Sequence, residues 1–420
     1  MRCQACGSTV SQWSGSPQCP ACHAVSGAAL PLPDQRRSHS ALWLWTSDHA
    51  RAALATGDLA VIVRAYRAAT GASQRQLAGL LGYDPTYISM IETGRRQIND
   101  VAARLRIARH LGVPPHALGI SDPEDADFKA MLQFGASTIR LAVLARQAGH
   151  GAEAVNELWP LVTRLETRVA EGHTERDVLL LLTRARAELG ASLGYVLPEE
   201  RLASAARWTG RALRLAERLD QQELLILALR VHGNELRKID HVGGAVSHLE
   251  HAAQLASDRA RGAVLVQLAR AVGELGDPAR FDRTIDSAWR FAGSSNAEAL
   301  ASRYAVTEVH LRGLMRTGRP RQAMNMLAGT SLPSVATPPQ WQAMLQVTVG
   351  EVLLAGADLL QAATAFRSAI VIAERHRLPH QIQRIVRTGG RGLPAVHDVA
   401  RQALDRLMRG YPADRPAGGA

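Results

Sequence analysis

The chain is short of lysine, cysteine and aromatic residues. Lys129 and Lys238 are its only lysines, so arginine supplies nearly all of the positive charge behind a formal net charge of +11. Aromatic residues make up 4% of the 420 positions and strand-like runs are few, which leaves a β-domain with little support. No apolar run approaches the roughly 18 residues that suggest a membrane span. Met1 to Cys22 is polar and lacks a central apolar block, so no secretory signal and no membrane partner are expected, and the cytoplasm is the expected compartment. Neither lysine closes a Gly-x-x-x-x-Gly-Lys phosphate loop, and no His-Glu-x-x-His occurs. Enzyme chemistry has no positive support, and the chain is expected not to be an enzyme.

The densest local signal runs from Ser73 to Gly94, where two short helices are joined by one tight turn. Leu77, Ala78 and Leu81 recur at helical spacing over Gln74 to Leu81, and Gly82 stands where the turn needs a positive backbone angle. Asp84 is an N-cap for a second helix, and Pro85 suits its first position because the missing N–H would have been unpaired anyway. Ile88 and Ile91 face inward. That leaves Thr86, Tyr87, Ser89 and Met90 around the outside, and Gly94 closes the helix. The pattern is a helix-turn-helix. A leading helix capped by Asp58 carries Leu59, Ile62, Val63 and Tyr66 as its apolar stripe. A trailing helix capped by Asn99-Asp100 runs to Leu111, and Val113 to Gly119 opens a fifth, short one. Residues 1–120 hold 12 arginines against 6 acidic residues, so +6 of the +11 sits around this motif. A basic module of this kind attracts phosphate backbones through counterion release.

The segment from Asp58 to Ile120 resembles the DNA-binding domain of Cro- and lambda-repressor-type regulators, the Xre family. The matching residues are Arg67, Gln74, Leu77-Ala78, Gly82, Ile88-Ser89, Glu92, Gly94 and Leu111-Gly112-Val113. The resemblance implies a five-helix fold docked on double-stranded DNA, with a homodimer expected on two half-sites about one helical turn apart. It implies that Gln74 holds a phosphate and that Pro85, Thr86 and Met90 face base edges in the major groove, with Tyr87 and Ser89 beside them. Arg95 and Arg96 match a loop that grips backbone phosphate, setting register rather than sequence preference. Thr86 can bond a base or touch a thymine methyl, whereas Met90 offers apolar contact alone. Arg67 and Glu92 match a buried ion pair that ties the leading helix to the recognition helix.

All four cysteines lie in the first 22 residues, Cys3, Cys6, Cys19 and Cys22, spaced C-x2-C-x12-C-x2-C. Each pair can place two thiolates on one tight turn, and the intervening residues can bring both turns to one tetrahedral ion, so a structural Zn2+ is expected. Two disulfides, which a reducing cytoplasm opposes, and a rubredoxin-type iron site are the alternatives. Residues 1–26 are expected to form this zinc-ribbon-like module, and 27–57 a linker with a short helical segment.

From 124 to 408 alanine, leucine and arginine dominate, and apolar positions recur three and four residues apart, as in helices. Turns near Asp240, Gly276-Asp277-Pro278, Gly318-Arg319-Pro320 and Gly356-Ala357-Asp358 divide the region into helix pairs at intervals of 36, 42 and 38 residues, and Val178 to Leu219 adds an earlier pair. This resembles a degenerate tetratricopeptide-type solenoid, with a globular helical bundle as the alternative. The resemblance implies a concave face that binds a short peptide, or another small effector, and alters the dimer. Arg230, Asn234, Arg270, Tyr304 and His310 fall on first helices of pairs and are candidates to line it. Residues 409–420 are expected to be a disordered tail. The expected fold is all-α: a five-helix DNA-binding domain at 58–120 followed by a solenoid at 124–408. The expected function is a transcription regulator; the alternative is a non-enzymatic scaffold whose solenoid binds protein partners.

Overall fold

Side-chain caps and left-handed turns set the ends of the first helices. A computed structural model of the protein describes residues 45, 48–113, 115–120, 125–293, 299–330, 337–389 and 392–409. The cysteine module expected at 1–26, the connector up to Leu44 and the tail beyond Arg409 lie outside the described residues. Helix α1 is Asp48–Ala55 and α2 is Leu59–Thr70, capped by the Asp58 carboxylate, which accepts from Ala60 N. Helices α3 (Gln74–Leu81), α4 (Pro85–Glu92) and α5 (Val101–Leu111) follow. The fifth helix expected from Val113 to Gly119 is a single 3-10 turn, Pro115–Leu118, which the left-handed Gly119 stops at φ 71°. The core of this bundle gathers Ile62, Leu77, Ile88, Ile107 and Leu111. Trp45, Ala50 and Ala53 belong to the same core. The Trp45 indole N–H donates to Leu111 O at 2.8 Å, so the end of the connector is built into the bundle.

The rest of the described chain is seven helical hairpins in succession. They are α6 (Asp125–Gln147) with α7 (Gly151–Ala170), α8 (Arg176–Val196) with α9 (Leu202–Ala216), and α10 (Gln222–Lys238) with α11 (Val242–Leu255). Next come α12 (Asp258–Leu275) with α13 (Pro278–Phe291), and α14 (Arg303–Arg316) with α15 (Pro320–Gly329). The last are α16 (Pro339–Ala355) with α17 (Leu359–Arg375), and α18 (Pro379–Gly389) with α19 (Pro394–Arg409). Five of the hairpin turns use one residue of positive φ: Gly149, Asp240, Gly276, Gly318 and Ala357, with φ between 62° and 90°. First helices pack on first helices from α8 through α18, so each pair stacks on the next. Glycine permits the tightest approaches: a Cβ on Gly350 would stand 2.6 Å from the Phe366 ring, and one on Gly313 would overlap Phe281.

The array curls until its end meets its start. Gln383 accepts from Glu199 N at 2.9 Å and donates to Glu200 at 2.9 Å, while His380 lies 3.2 Å from Glu199. His376 Nδ1 approaches Gly149 O at 3.2 Å. The inner faces of the first helices meet in a buried polar seam. Arg237 and Arg312 both donate to Glu274, at 2.8 and 2.7 Å. Arg384 donates to Glu351 at 2.7 Å and to Thr348 at 3.0 Å, and the Thr348 hydroxyl donates to the fully buried Glu308 at 3.0 Å. Buried charge is tolerated only when paired and hydrogen-bonded, and here the partners come from successive helix pairs. Among the described residues there is no strand, and no helix is long and apolar enough to cross a membrane.

Candidate nucleic-acid interface

Helix α3 begins at a capping box: Ser73 Oγ accepts from Gln76 N at 3.2 Å and Gln76 Oε1 accepts from Ser73 N at 2.8 Å. It ends at Gly82, whose φ of 71° turns the chain into α4. Asp84 then caps α4, accepting from Thr86 N at 2.8 Å. Hydrogen bonds from the Thr86 hydroxyl and backbone N–H hold the Asp84 carboxyl below the usual carboxylate range.

Ile88 and Ile91 are buried and pin α4 to the core. Thr86 is exposed, and Pro85, Tyr87, Ser89 and Met90 are half-buried around the outer surface. Gly94, at φ 71°, starts the loop that carries the exposed Arg95 and Arg96, and Arg96 N donates to Met90 O at 3.1 Å, anchoring that loop to the end of α4. Thr86, Tyr87, Ser89 and Met90 on α4 and Arg95 and Arg96 just beyond it are thus all at least partly exposed.

Gln74 lies differently from a residue held free for phosphate. Its amide nitrogen donates to Glu92 Oε2 at 2.6 Å. Glu92, only 7% exposed, also meets Arg67 Nε at 2.9 Å, and its backbone oxygen accepts from Arg64. The expected Arg67–Glu92 pair is present, and Gln74 completes it as a three-residue tie between α2, α3 and α4. What α3 offers outward at this end is its first-turn backbone N–H groups beside the exposed Arg75.

Two aromatic residues extend the surface in a way the sequence reading missed. Tyr83 and Tyr87 stack with centroids 4.9 Å apart, Arg96 covers the Tyr87 ring at 5.7 Å, and Arg106 covers Tyr83 at 5.4 Å while donating to its hydroxyl at 2.9 Å. Tyr83 and Tyr87 stand four apart along the sequence, a signal of proximity that was available; the reach of Arg106 from α5 was not. Stacking holds two long cations against the edge of α4 without neutralising them.

Of the expected effector-lining residues, Asn234 and Arg270 do reach the inner seam, where they border a small cavity with Lys238, Gln340 and His380. Burial, reinforced by Lys238 and nearby arginines, pushes His380 well below the usual histidine range. Tyr304 is packed in the core and its hydroxyl is pushed up to about 12 by burial, while His310 accepts from the Trp289 indole at 3.1 Å. These two serve packing. A Gly-x-Ser-x-Gly run, Gly190 to Gly194, lies within the helical C-terminal part of α8 with Ser192 fully buried. The nucleophile elbow with that signature needs an exposed serine on a strand-to-helix turn.

Comparison with known proteins bears on one part of the chain. No curated protein matches it. Residues 58–118 match the family model of a helix-turn-helix domain, the kind of module with which regulators bind DNA.

Proposed function

We propose that the protein is a non-enzymatic, sequence-specific transcription regulator of the Xre type that binds double-stranded DNA through α4 and acts as a cytoplasmic homodimer. The observation that carries this reading is the exposure of Thr86, Tyr87, Ser89 and Met90 on α4 and of Arg95 and Arg96 in the loop anchored to its end, on a segment that matches a helix-turn-helix domain. Backbone contacts from the arginines would fix the register, and Thr86 and Met90 would select among bases by hydroxyl and apolar contact.

Support for the dimer comes from α6, the helix that leads out of the bundle. Phe134, Leu141 and Leu144 are 60%, 65% and 59% exposed and lie along one side of it. An apolar stripe of this kind next to the DNA-binding domain suits a second copy of the chain, because a two-fold dimer must hold two α4 helices one turn of DNA apart. The succession of hairpins supports a tetratricopeptide-like array, and the small polar cavity where α18 returns to α8 and α10 is the place where a peptide or small-molecule effector would act. The C-x2-C-x12-C-x2-C spacing supports a structural Zn2+ in the N-terminal module.

Selection of bound duplexes from a random pool tests the function. Enrichment of a two-fold-related motif by the wild type, absent for a Thr86→Ala, Arg95→Ala, Arg96→Ala triple variant, is the expected result. No enrichment by either protein, with a stable protein partner captured instead, would favour the scaffold reading.

A further inference from the structure

We propose that His116, His173 and Glu175 form a binding site for a divalent transition-metal ion of the zinc class, and that the ion ties the helix-turn-helix bundle to the helical array. The three side chains come from both parts of the molecule. His116 sits on the 3-10 turn that closes the bundle, and His173 and Glu175 lie in the turn between α7 and α8, with Glu175 in the N-cap position of α8. One ligand atom from each lies within 4.8 Å of the others.

The spacing favours a shared ion over direct contact. Glu175 Oε1 stands 3.6 Å from His116 Nε2 and 3.6 Å from His173 Nδ1. That is too long for a hydrogen bond. Donor atoms ~2.0–2.1 Å from a tetrahedral zinc ion are held about 3.4 Å apart; both separations from Glu175 are within a few tenths of an ångström of that, and the two imidazole nitrogens, within 4.8 Å of each other, would draw together on the ion. The second carboxylate oxygen, Glu175 Oε2, is buried and has no hydrogen-bond partner among the described residues.

The surroundings hold the ligands in place. Phe128 of α6 packs on the His173 ring at 4.5 Å, and the two imidazoles lie nearly parallel with centroids 5.9 Å apart. Thr174 Oγ1 donates to Gly112 O at 3.3 Å, so the backbone on either side is already joined. His173 is 2% exposed, whereas the His116 side chain is 45% exposed, which provides a solvent path to the ion and to a fourth, water-filled position. Two imidazoles and a carboxylate suit zinc and its first-row neighbours better than magnesium or calcium, which take oxygen ligands. The site stands whether or not α4 reads DNA.

The test is zinc stoichiometry on the full chain after equilibrium dialysis, comparing wild type with His116→Gln and Glu175→Gln. Both residues are accessible enough to replace without opening the core, and the thermal midpoint without metal checks that the fold is kept. Each variant is expected to bind one equivalent of zinc fewer than wild type, with the zinc-dependent rise in thermal midpoint correspondingly reduced. With cobalt as the probe, the band lost in the variants must be free of thiolate charge transfer, which separates this site from the cysteine module. Equal stoichiometry in all three folded proteins, or loss confined to thiolate bands, would overturn the proposal.

Discussion

In the bundle, Arg95 and Arg96 stand exposed beyond α4, and Arg96 and Arg106 are steadied by tyrosine faces that leave their charge intact. In the array, Arg237, Arg270, Arg312 and Arg384 turn inward, each less than a tenth exposed, and meet Glu274, Glu308 and Glu351. The same residue type performs opposite tasks. In the first region arginine is left available to an anionic partner; in the second it is consumed in joining one helix pair to the next. Net charge therefore reports little about binding until burial and pairing are known.

The contrast can be broken at the seam. Replacing Glu274 by alanine leaves Arg237 and Arg312 buried without their shared acceptor, and a loss of about 4 kcal/mol is expected in denaturant unfolding. Hydrogen exchange should assign that loss to the array. Arg67→Ala is the matching lesion in the bundle. It frees Glu92 from its ion partner but leaves Gln74 in place, and the half-buried setting reduces the expected cost to about 3 kcal/mol, localised to residues 58–120.

Packing gives a third, smaller effect. Gly313→Ala forces a methyl group into the fully buried Phe281 ring, and overpacking of this kind costs about 2 kcal/mol. Acid should also weaken the seam. Burial alone would raise the Glu274 carboxyl, but Arg237, Arg312 and Arg270 outweigh it and bring it down to about 2 from an ordinary 4.5. A carboxylate depressed on folding stabilises fully above its unfolded pKa, and that stabilisation is lost as pH falls from about 4.5 through about 2. Over this window exchange protection should drop along α12 and α14, where Glu274 and Arg312 sit. The smallest effect is a gain: Ala357→Gly relieves a left-handed alanine at φ 62° and should add about 1 kcal/mol to the array.

The bundle was legible because its signals are local. Asp58, Ser73, Asp84 and Asp100 cap helices within three residues of themselves, and Gly82 and Gly112 end them, so boundaries follow from short runs of sequence. The array was legible only as a rhythm of turns at Asp240, Gly276, Gly318 and Ala357. Its first hairpin, α6 with α7, and its last, α18 with α19, have no counterpart in that rhythm, which starts at Asp240 and ends at Ala357. Nothing in the sequence indicates that α18 returns to Glu199 and Glu200, since that contact joins residues more than 180 apart. The same holds at the candidate site: helical spacing marks Thr86 as an outer position and the family resemblance points to Arg95, but the engagement of Gln74 with Glu92 depends on how three helices converge.

The central claim is tested most directly by the salt dependence of duplex DNA binding, measured for the full chain and for the Thr86→Ala, Arg95→Ala, Arg96→Ala variant. If the exposed arginines contact phosphate, the variant should bind more weakly and the slope of log affinity against log salt should fall by about two, one for each arginine removed. Equal affinity and an unchanged slope, with both proteins folded, would contradict the account and move the search for a partner to the array.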